Sequence, residues 1–600
     1  MTAPDILQTY PLSDAQLRAA LTRDVDVAVT AGAGTGKTRT LVARYLALLA
    51  DGVPLRQIVA VTFTRKAARE MRNRVRKEVA AYLAQPELPA AARERWQGHF
   101  NRLDAARIGT IHNVCSEILH AHPAEVGVDP RFAVLDETQA ALLVQEVAEA
   151  TLAWAVEAEE TRPLLEMLRE RPLLALITTL LTNRLAVQEV VSQLPADDIL
   201  PHWQAQLAAR QAEQVAQMLA DPEFVAAHRC LLANQAADPN DRRDMQRRVA
   251  LAALAIPKDA PLADQLGLLA ALHDIDLRGG SQKNWPGGKA QLDEVKAALA
   301  YLREAYKSQS LLGLRLNGQD TAVAAAMPAI YSLFAYAQAR YTRLKAERDA
   351  LDFDDLEDLA IQLLANHADI RRYWQQQVQA LLVDEFQDTN ARQARLVRLL
   401  CPDPGKLFIV GDAKQSIYRF RGADVAVFAA EKGAIQGSSG ALIDLDTSYR
   451  AHPQLLTDMN ELLAPVLGPD SPERPSWVAP FAPLSPGSKT AHDGVGGPFV
   501  EFHLAVGNKP AALPVAAAAL VARLAALHAE TGLGYGDMAI LCRTSGAFQY
   551  YEDALDAAGI PYLTVAGKGF YDRPEIRDVL NALQAIADPH DDLALVGLLR

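Results

Sequence analysis

The chain has 600 residues, enough for about four domains at roughly 150 residues each. Half of the residues are hydrophobic and 22% are charged, which permits large packed cores and excludes wholesale disorder. A formal net charge of −13 excludes a uniformly basic binder of the histone kind while leaving room for a local basic groove. The four cysteines, Cys115, Cys230, Cys401 and Cys542, lie far apart with no C-x-x-C pair. That spacing argues against a disulfide scaffold, a zinc ribbon or a cysteine-ligated cluster, and it suits a reducing compartment. The stretch from Met1 to Tyr10 has no basic residue ahead of an apolar run, so it does not read as a signal peptide. No segment reaches the ~18 uninterrupted apolar residues of a membrane span. The expectation is a multidomain cytoplasmic protein with no membrane partner.

In chain order, Val25 to Thr30 alternates and is β-branched, which predicts a strand, and a Gly-rich turn and a helix pattern from Thr38 to Leu49 follow it directly. A second predicted strand, Ile58 to Phe63, feeds a helix from Lys66 to about Tyr82. Strand–turn–helix units in this order predict a parallel α/β sheet. From about Thr138 to Ala350 Ala, Leu, Gln and Glu dominate and the 3.6-residue period prevails, which predicts a helical insertion broken by a turn-rich piece, RGGSQKNWPGGK, at 278–289. Strand signals return at Val378 to Val383 and Leu407 to Val410. Eight prolines fall from Pro465 to Pro498, reading as a linker or long surface loop. Phe499 to Leu504 and Met538 to Cys542 then read as strands of a second α/β lobe with a helix between them.

The turn after the first strand, Ala31-Gly32-Ala33-Gly34-Thr35-Gly36-Lys37-Thr38, fits the phosphate-loop pattern with alanine in place of the first glycine. Its glycines let backbone N–H groups curl around an anion, Lys37 can reach the β/γ-phosphates, and the Thr38 hydroxyl can ligate Mg²⁺. The loop leaves a strand and enters a helix, where the helix dipole favours phosphate. The predicted strand Leu381-Leu382-Val383 ends in Asp384 and Glu385. Asp384 suits a Mg²⁺ role, and Glu385 can orient and deprotonate an attacking water, which favours hydrolysis over phosphoryl transfer to a substrate. A polar amide, Gln415, follows the strand ending at Gly411-Asp412, in position to sense a γ-phosphate.

Residues 65–77 hold seven cations against one acid, and Arg65, Arg69, Arg72 and Arg76 share one helical face. A solvated helix and a phosphate-binding face both explain that pattern. Thr62-Phe63-Thr64 at the preceding strand end adds an aromatic and hydroxyls, the usual ingredients of a single-strand site.

The segments VTFTRKAAREMRNRV (61–75), VDEFQDTN (383–390), GDAKQSIYRFRGA (411–423) and SYR (448–450) resemble those of the UvrD/Rep-type superfamily-one DNA helicases. IYRFRGAD and GTIHNVCSEILHAHPAEVGVDPRFAVLDE (109–137) resemble most the AddA/RecB branch, the motor subunits of helicase–nuclease complexes. The resemblance implies an α/β fold: a RecA-like P-loop lobe formed by 1–120 and 350–440, a helical insertion at 121–349, and an incomplete second RecA-like lobe at 441–600 carrying the Pro-rich loop 465–498. It implies that Gln16 bonds the adenine edge, that Arg39 and Tyr449 sandwich the adenine ring, that Gln415 senses the γ-phosphate and that Arg450 reaches across from the second lobe as an arginine finger. It implies a single-strand track of Phe63, Thr64, Arg65, His112, Tyr418, Phe420 and Arg421, with Phe420 where UvrD has a tryptophan platform and Val114 where the family often has an aromatic. ATP and Mg²⁺ are the implied cofactors; single-stranded and duplex DNA and a second helicase–nuclease subunit are the implied partners. The implied activity is 3′ to 5′ translocation and unwinding in recombinational DNA repair. Two further motor motifs and a terminal nuclease domain do not occur in these residues, so a DNA- and ATP-binding module without turnover is the alternative. The acids of LDFDDL (351–356) read as a helix cap and hinge support, and Trp285 as a loop anchor.

Overall fold

The computed structural model describes residues 4–194, 199–257, 259–471, 474–475, 477–487, 496–565, 574–588 and 592–599. Its centre is a six-stranded, wholly parallel sheet: β1 Val27–Ala31, β2 Ile58–Val61, β3 Arg107–Gly109, β4 Ala380–Val383, β5 Leu407–Gly411 and β6 Ala441–Leu445. The spatial order is β3-β2-β4-β5-β1-β6, so the chain leaves the sheet after β3 and returns to its middle with β4. The registers Val29↔Val410, Val61↔Val383 and Val383↔Ile409 keep the strand ends level. Strands β2, β4 and β5 are apolar throughout because both faces are covered, as parallel sheets require. One face packs against the helices Lys37–Ala50 and Arg65–Leu83 through Leu41, Leu46, Met71 and Val75, and the other against Ile111–Ala121 and Phe353–Asn366 through Ile118, Leu356 and Leu364.

Between β3 and β4 the chain forms the helical insertion. It holds two cores of its own, one joining Glu137–Glu157 and Glu170–Thr182 to Gly318–Glu347, the other gathering residues 215–312. Trp285 is buried in the second core, so it anchors the turn-rich piece rather than facing a ligand.

One expectation about the C-terminal part is corrected. Residues 441–445, just past the expected bound of the first lobe, form the edge strand of the first sheet, paired with β1 from Val27↔Ala441 to Ala31↔Leu445. Phe499 to Leu504 and Met538 to Cys542 are not strands; Phe502, Leu504 and Leu541 are all at least 80% exposed. Alternation identifies a strand's two faces but not its neighbour, and neither segment has a ladder partner among the described residues. The helix between them is present at Lys509–Thr531. Of the Pro-rich loop, residues 472–473, 476 and 488–495 lie outside the described residues; Pro465 belongs to the helix Pro453–Leu467.

Two helices, Gly318–Glu347 and Ala511–Thr531, are long and apolar enough to cross a membrane by length and composition, although neither is uninterrupted. The first packs Ala326, Leu333, Ala337 and Tyr341 into the insertion core and buries Lys345 in ion pairs. The second is rich in alanine and carries Arg523, which pairs with Glu501 at 2.7 Å.

Candidate nucleotide site and nucleic-acid track

All six strands point the same way, so the loops that leave their C-terminal ends gather along one edge of the sheet, where open α/β sheets bind ligands. The phosphate loop leaves β1 there. Gly34 (φ 78°) and Gly36 (φ 89°) adopt left-handed backbone, and a Cβ on Gly34 would meet Ser448 Oγ and Arg450 Cβ at 2.6 Å. Glycine is needed at both positions for conformation, and at Gly34 also for clearance. The Thr35 hydroxyl donates to Gly32 O, tightening the loop. Gln16, buried beneath it, donates to Thr35 O at 2.8 Å and accepts from Ser13 N at 3.0 Å. In this arrangement its amide braces the loop from below.

The segment after β6 closes the loop from the other side. Ser448 Oγ donates to Ala33 O at 2.9 Å, and Tyr449 N donates to Gly34 O at 2.9 Å. Tyr449 and Arg450 are exposed beside the loop. Arg450 adjoins the phosphate loop five residues after the edge strand Ala441–Leu445, directly beyond Thr447–Ser448, which pairs with Ser485–Pro486. The Arg39 guanidinium lies 4.8 Å from the centre of the Tyr10 ring. Burial pushes the Tyr10 hydroxyl up to about 12, so this ring stays neutral.

Lys37 Nζ lies 2.7 Å from Glu385 Oε2 and 3.1 Å from Gln415 Oε1. The first contact joins residues 348 positions apart. Glu385 is held at φ 51°, an unusual conformation for a non-glycine residue and costly by about 1–3 kcal/mol. Gln387, almost wholly buried, ties this centre together: its Nε2 donates to Glu385 Oε2 (2.8 Å) and Asp388 Oδ2 (3.2 Å), and its Oε1 accepts from Asp412 N (2.9 Å). Gln415 Nε2 in turn donates to Asp412 Oδ2 at 2.7 Å. One continuous network therefore links the ends of β1, β4 and β5.

Asp384, buried at the tip of β4, accepts from Glu385 N. Burial, and then the neighbouring Glu385 charge, push its carboxyl up to about 7. Burial and Glu385 likewise raise Asp388 to about 6. A carboxylate strained in this way is a fitting ligand for a divalent cation, whose charge relieves the cost of ionising it. No cluster of three or more His, Cys, Asp or Glu side chains suited to a metal occurs among the described residues.

Along the same edge lies an aromatic platform. The Phe63 and Tyr418 rings are 4.4 Å apart, Tyr418 and Phe420 are 5.8 Å apart, and Phe420 is 79% exposed. The Arg421 guanidinium lies 5.8 Å from the Tyr418 ring and 5.9 Å from the Phe420 ring, and it pairs with Glu137 of the insertion at 3.2 Å. Thr64 caps the helix Arg65–Leu83 by accepting from Ala67 N. The His112 ring lies 4.5 Å from Phe353, and its Nε2 lies 3.2 Å from the buried Glu357. Burial would raise the Glu357 carboxyl, but hydrogen bonds from His112, Gln393 and Asn390 hold it below its ordinary value. Val114 is buried in the sheet's core and offers no stacking face.

With the phosphate loop, acid pair and amide in contact, comparison with known proteins is informative. Residues 12–436 match the UvrD/REP helicase N-terminal domain, and residues 443–600 match the UvrD-like helicase C-terminal domain. The chain belongs to the UvrD/Rep helicase family. It is similar to the A subunit of the ATP-dependent helicase/nuclease of Desulforudis audaxviator (strain MP104C), with 29% identity over 96% of this chain and 52% of the relative. The protein of that name from Staphylococcus aureus (strain JH9) is 26% identical over 100% of this chain and 52% of the relative. The chain spans about half the length of the curated relatives it matches.

Within this UvrD/Rep fold, three residues of the site were missed in the sequence. Gln387 lies inside the motif VDEFQDTN, but nothing in the string says that its amide bridges two strands. Tyr10 and Glu357 become visible only when their partners, Arg39 and His112, are brought near by the fold. Replacing Gln387 with alanine removes hydrogen bonds to charged groups, each worth about 1.5–3 kcal/mol. The expected result is a roughly 10–100-fold lower ATP turnover with nucleotide affinity unchanged, read from kcat beside equilibrium titration.

Proposed function

We propose that this chain is the motor portion of an ATP-dependent DNA helicase, moving on single-stranded DNA in the 3′ to 5′ direction and opening duplex DNA during recombinational repair in the cytoplasm. The observation that carries the reading is the Lys37–Glu385 contact, which puts phosphate loop and hydrolytic acid at one point. In this reading ATP lies on the loop 31–38, with Arg39 and Tyr449 flanking the adenine and Gln16 beneath. Thr38 and Asp384 would hold Mg²⁺, which would supply charge neutralisation to the triphosphate. Lys37 exchanges its partner Glu385 for phosphate oxygens, which frees the carboxylate to take a proton from the attacking water. Arg450 faces the developing charge as an arginine finger, and Gln415 reports the γ-phosphate through Asp412 and Gln387 to Glu385. The platform of Phe63, Tyr418, Phe420 and Arg421, with Thr64, Arg65 and His112, takes the strand. A second helicase–nuclease subunit is the proposed protein partner, by analogy with relatives named as subunits of such enzymes.

Steady-state ATPase with and without oligothymidylate tests this reading. Stimulated turnover is expected, and DNA binding that falls steeply with salt. Phe63→Ala with Phe420→Ala is expected to weaken single-strand binding by about 1–3 kcal/mol per lost stack, measured by fluorescence anisotropy. Unchanged affinity would place the track elsewhere. A binding module without turnover is the second reading, favoured by the unpaired, exposed segments at 499–504 and 538–542. It predicts tight DNA and ATP binding with no stimulation.

A further inference from the structure

We propose that Tyr10 and Gly487 are positioning residues of the nucleotide-base slot, each backing one of the two side chains that flank the adenine. This inference rests on the reading in which Arg39 and Tyr449 are those side chains, and it adds what holds them in place. An arginine side chain is long and flexible, so ordering it only when the base arrives subtracts from affinity. Arg39 makes no side-chain hydrogen bond or ion pair among the described residues, and its Nε is buried without a partner. The contact that orients it is the Tyr10 ring, whose centre lies 4.8 Å from the guanidinium carbon, close enough for a cation–π contact. A planar guanidinium has two faces. With Tyr10 on one, the other is left for a base. Tyr10 is itself held, since its N–H donates to Leu7 O at 3.1 Å and its ring packs against the core of the first sheet.

Tyr449 is fixed by a different part of the chain. Its N–H is spent on Gly34 O of the phosphate loop. The pairs Ser485↔Thr447 and Pro486↔Ser448 form a short parallel ladder, which Gly487 N extends by donating to Ser448 O at 2.8 Å. That lays the buried Gly487 against the Tyr449 ring, where a Cβ would collide with Cδ1 and Cε1, the latter at 2.7 Å. Only glycine lets the ring lie this close to the backbone. Tyr449 remains 41% exposed, so one side of the ring is covered and the rest is open to a ligand. Each flanking side chain is thus held before any nucleotide arrives, one by an aromatic ring and the other by bare backbone.

Equilibrium titration with two probes tests it: magnesium ATP, and inorganic tripolyphosphate, which carries the phosphates without a base. Tyr10→Leu and Gly487→Ala are each expected to weaken ATP binding by roughly three- to tenfold while tripolyphosphate affinity stays within about twofold. In steady state the loss is expected in KM more than in kcat. Tyr10→Phe keeps the ring and is expected to bind ATP as the wild type does. Each variant decides its own residue. An equal loss for both probes assigns that residue to general support of the phosphate loop and overturns its backing role. Tighter ATP binding in Tyr10→Leu also overturns it, because Tyr10 then fills the slot that the base needs. Arg39→Ala separates this inference from the reading beneath it. If Arg39→Ala weakens ATP selectively while Tyr10→Leu and Gly487→Ala do not, the backing falls and the flanking pair stands. If Arg39→Ala leaves ATP binding unchanged, the flanking pair and its backing fall together.

Discussion

Replacing Glu385 with glutamine is expected to lower ATP turnover by roughly 10²–10⁴-fold while leaving nucleotide affinity intact. The substitution keeps the shape of a side chain that is fixed from three directions. Its backbone is held at φ 51°, Lys37 Nζ donates to it at 2.7 Å and Gln387 Nε2 at 2.8 Å. A glutamine amide still accepts both hydrogen bonds through its oxygen, so the network survives, but it accepts no proton from water. Losing the carboxylate also frees Lys37 from a charged partner that triphosphate has to displace. Affinity for ATP is therefore expected to stay level or rise, and never to fall in proportion to turnover. Single-turnover hydrolysis beside equilibrium titration separates the two. Turnover within tenfold of wild type removes Glu385 as the base.

What the string made legible was local chemistry at strand ends. The loop 31–38 and the pair Asp384-Glu385 each carry their function in a few adjacent residues, and a parallel sheet brings such ends to one edge whatever the order of its strands. The acids of LDFDDL were legible for the same reason: Asp352 caps the helix Phe353–Asn366 in a reciprocal box with Asp355. Pairings over distance were not legible. Residues 441–445 look alike whether they edge the first sheet or open a second one, and only the ladder to Val27–Ala31 decides. Phe499 to Leu504 has the alternation of a strand, yet alternation does not supply a neighbour. His112 shows the same limit within the site. Its motif suggests a place on the track, but nothing in the string says that its ring also packs on Phe353 and Glu357, which come from a helix more than two hundred residues later.

Replacing Arg184 with methionine is expected to cost about 3–5 kcal/mol of stability, seen as a lower urea midpoint at neutral pH. Arg184 is buried where the insertion meets the motor lobe, 2.5 Å from Asp352 Oδ1 and 3.1 Å from both Asp354 and Asp355. Lys345 completes the cluster through Asp352 and Asp355, and Tyr341 donates to Asp352 Oδ2 at 2.8 Å. Methionine fills much the same space but leaves three carboxylates facing one buried cation, and the penalty is that of uncompensated charge more than of lost packing. The pH dependence separates those causes. Burial alone would raise the Asp352 carboxyl, but Arg184, Lys345 and the backbone N–H of Asp355 outweigh it and hold it at about 2, below its ordinary 3.8. A depressed acid contributes stability that is fully present above pH 3.8 and is lost as pH falls toward 2. The gap between wild type and Arg184→Met is therefore expected to be widest near neutrality and to narrow below about pH 4. A gap that stays constant with pH would assign the loss to packing. Adding Asp352→Asn to Arg184→Met removes one of the stranded charges, and is expected to recover part of the midpoint at pH 7 and little at pH 3, since protonation there has already done the same.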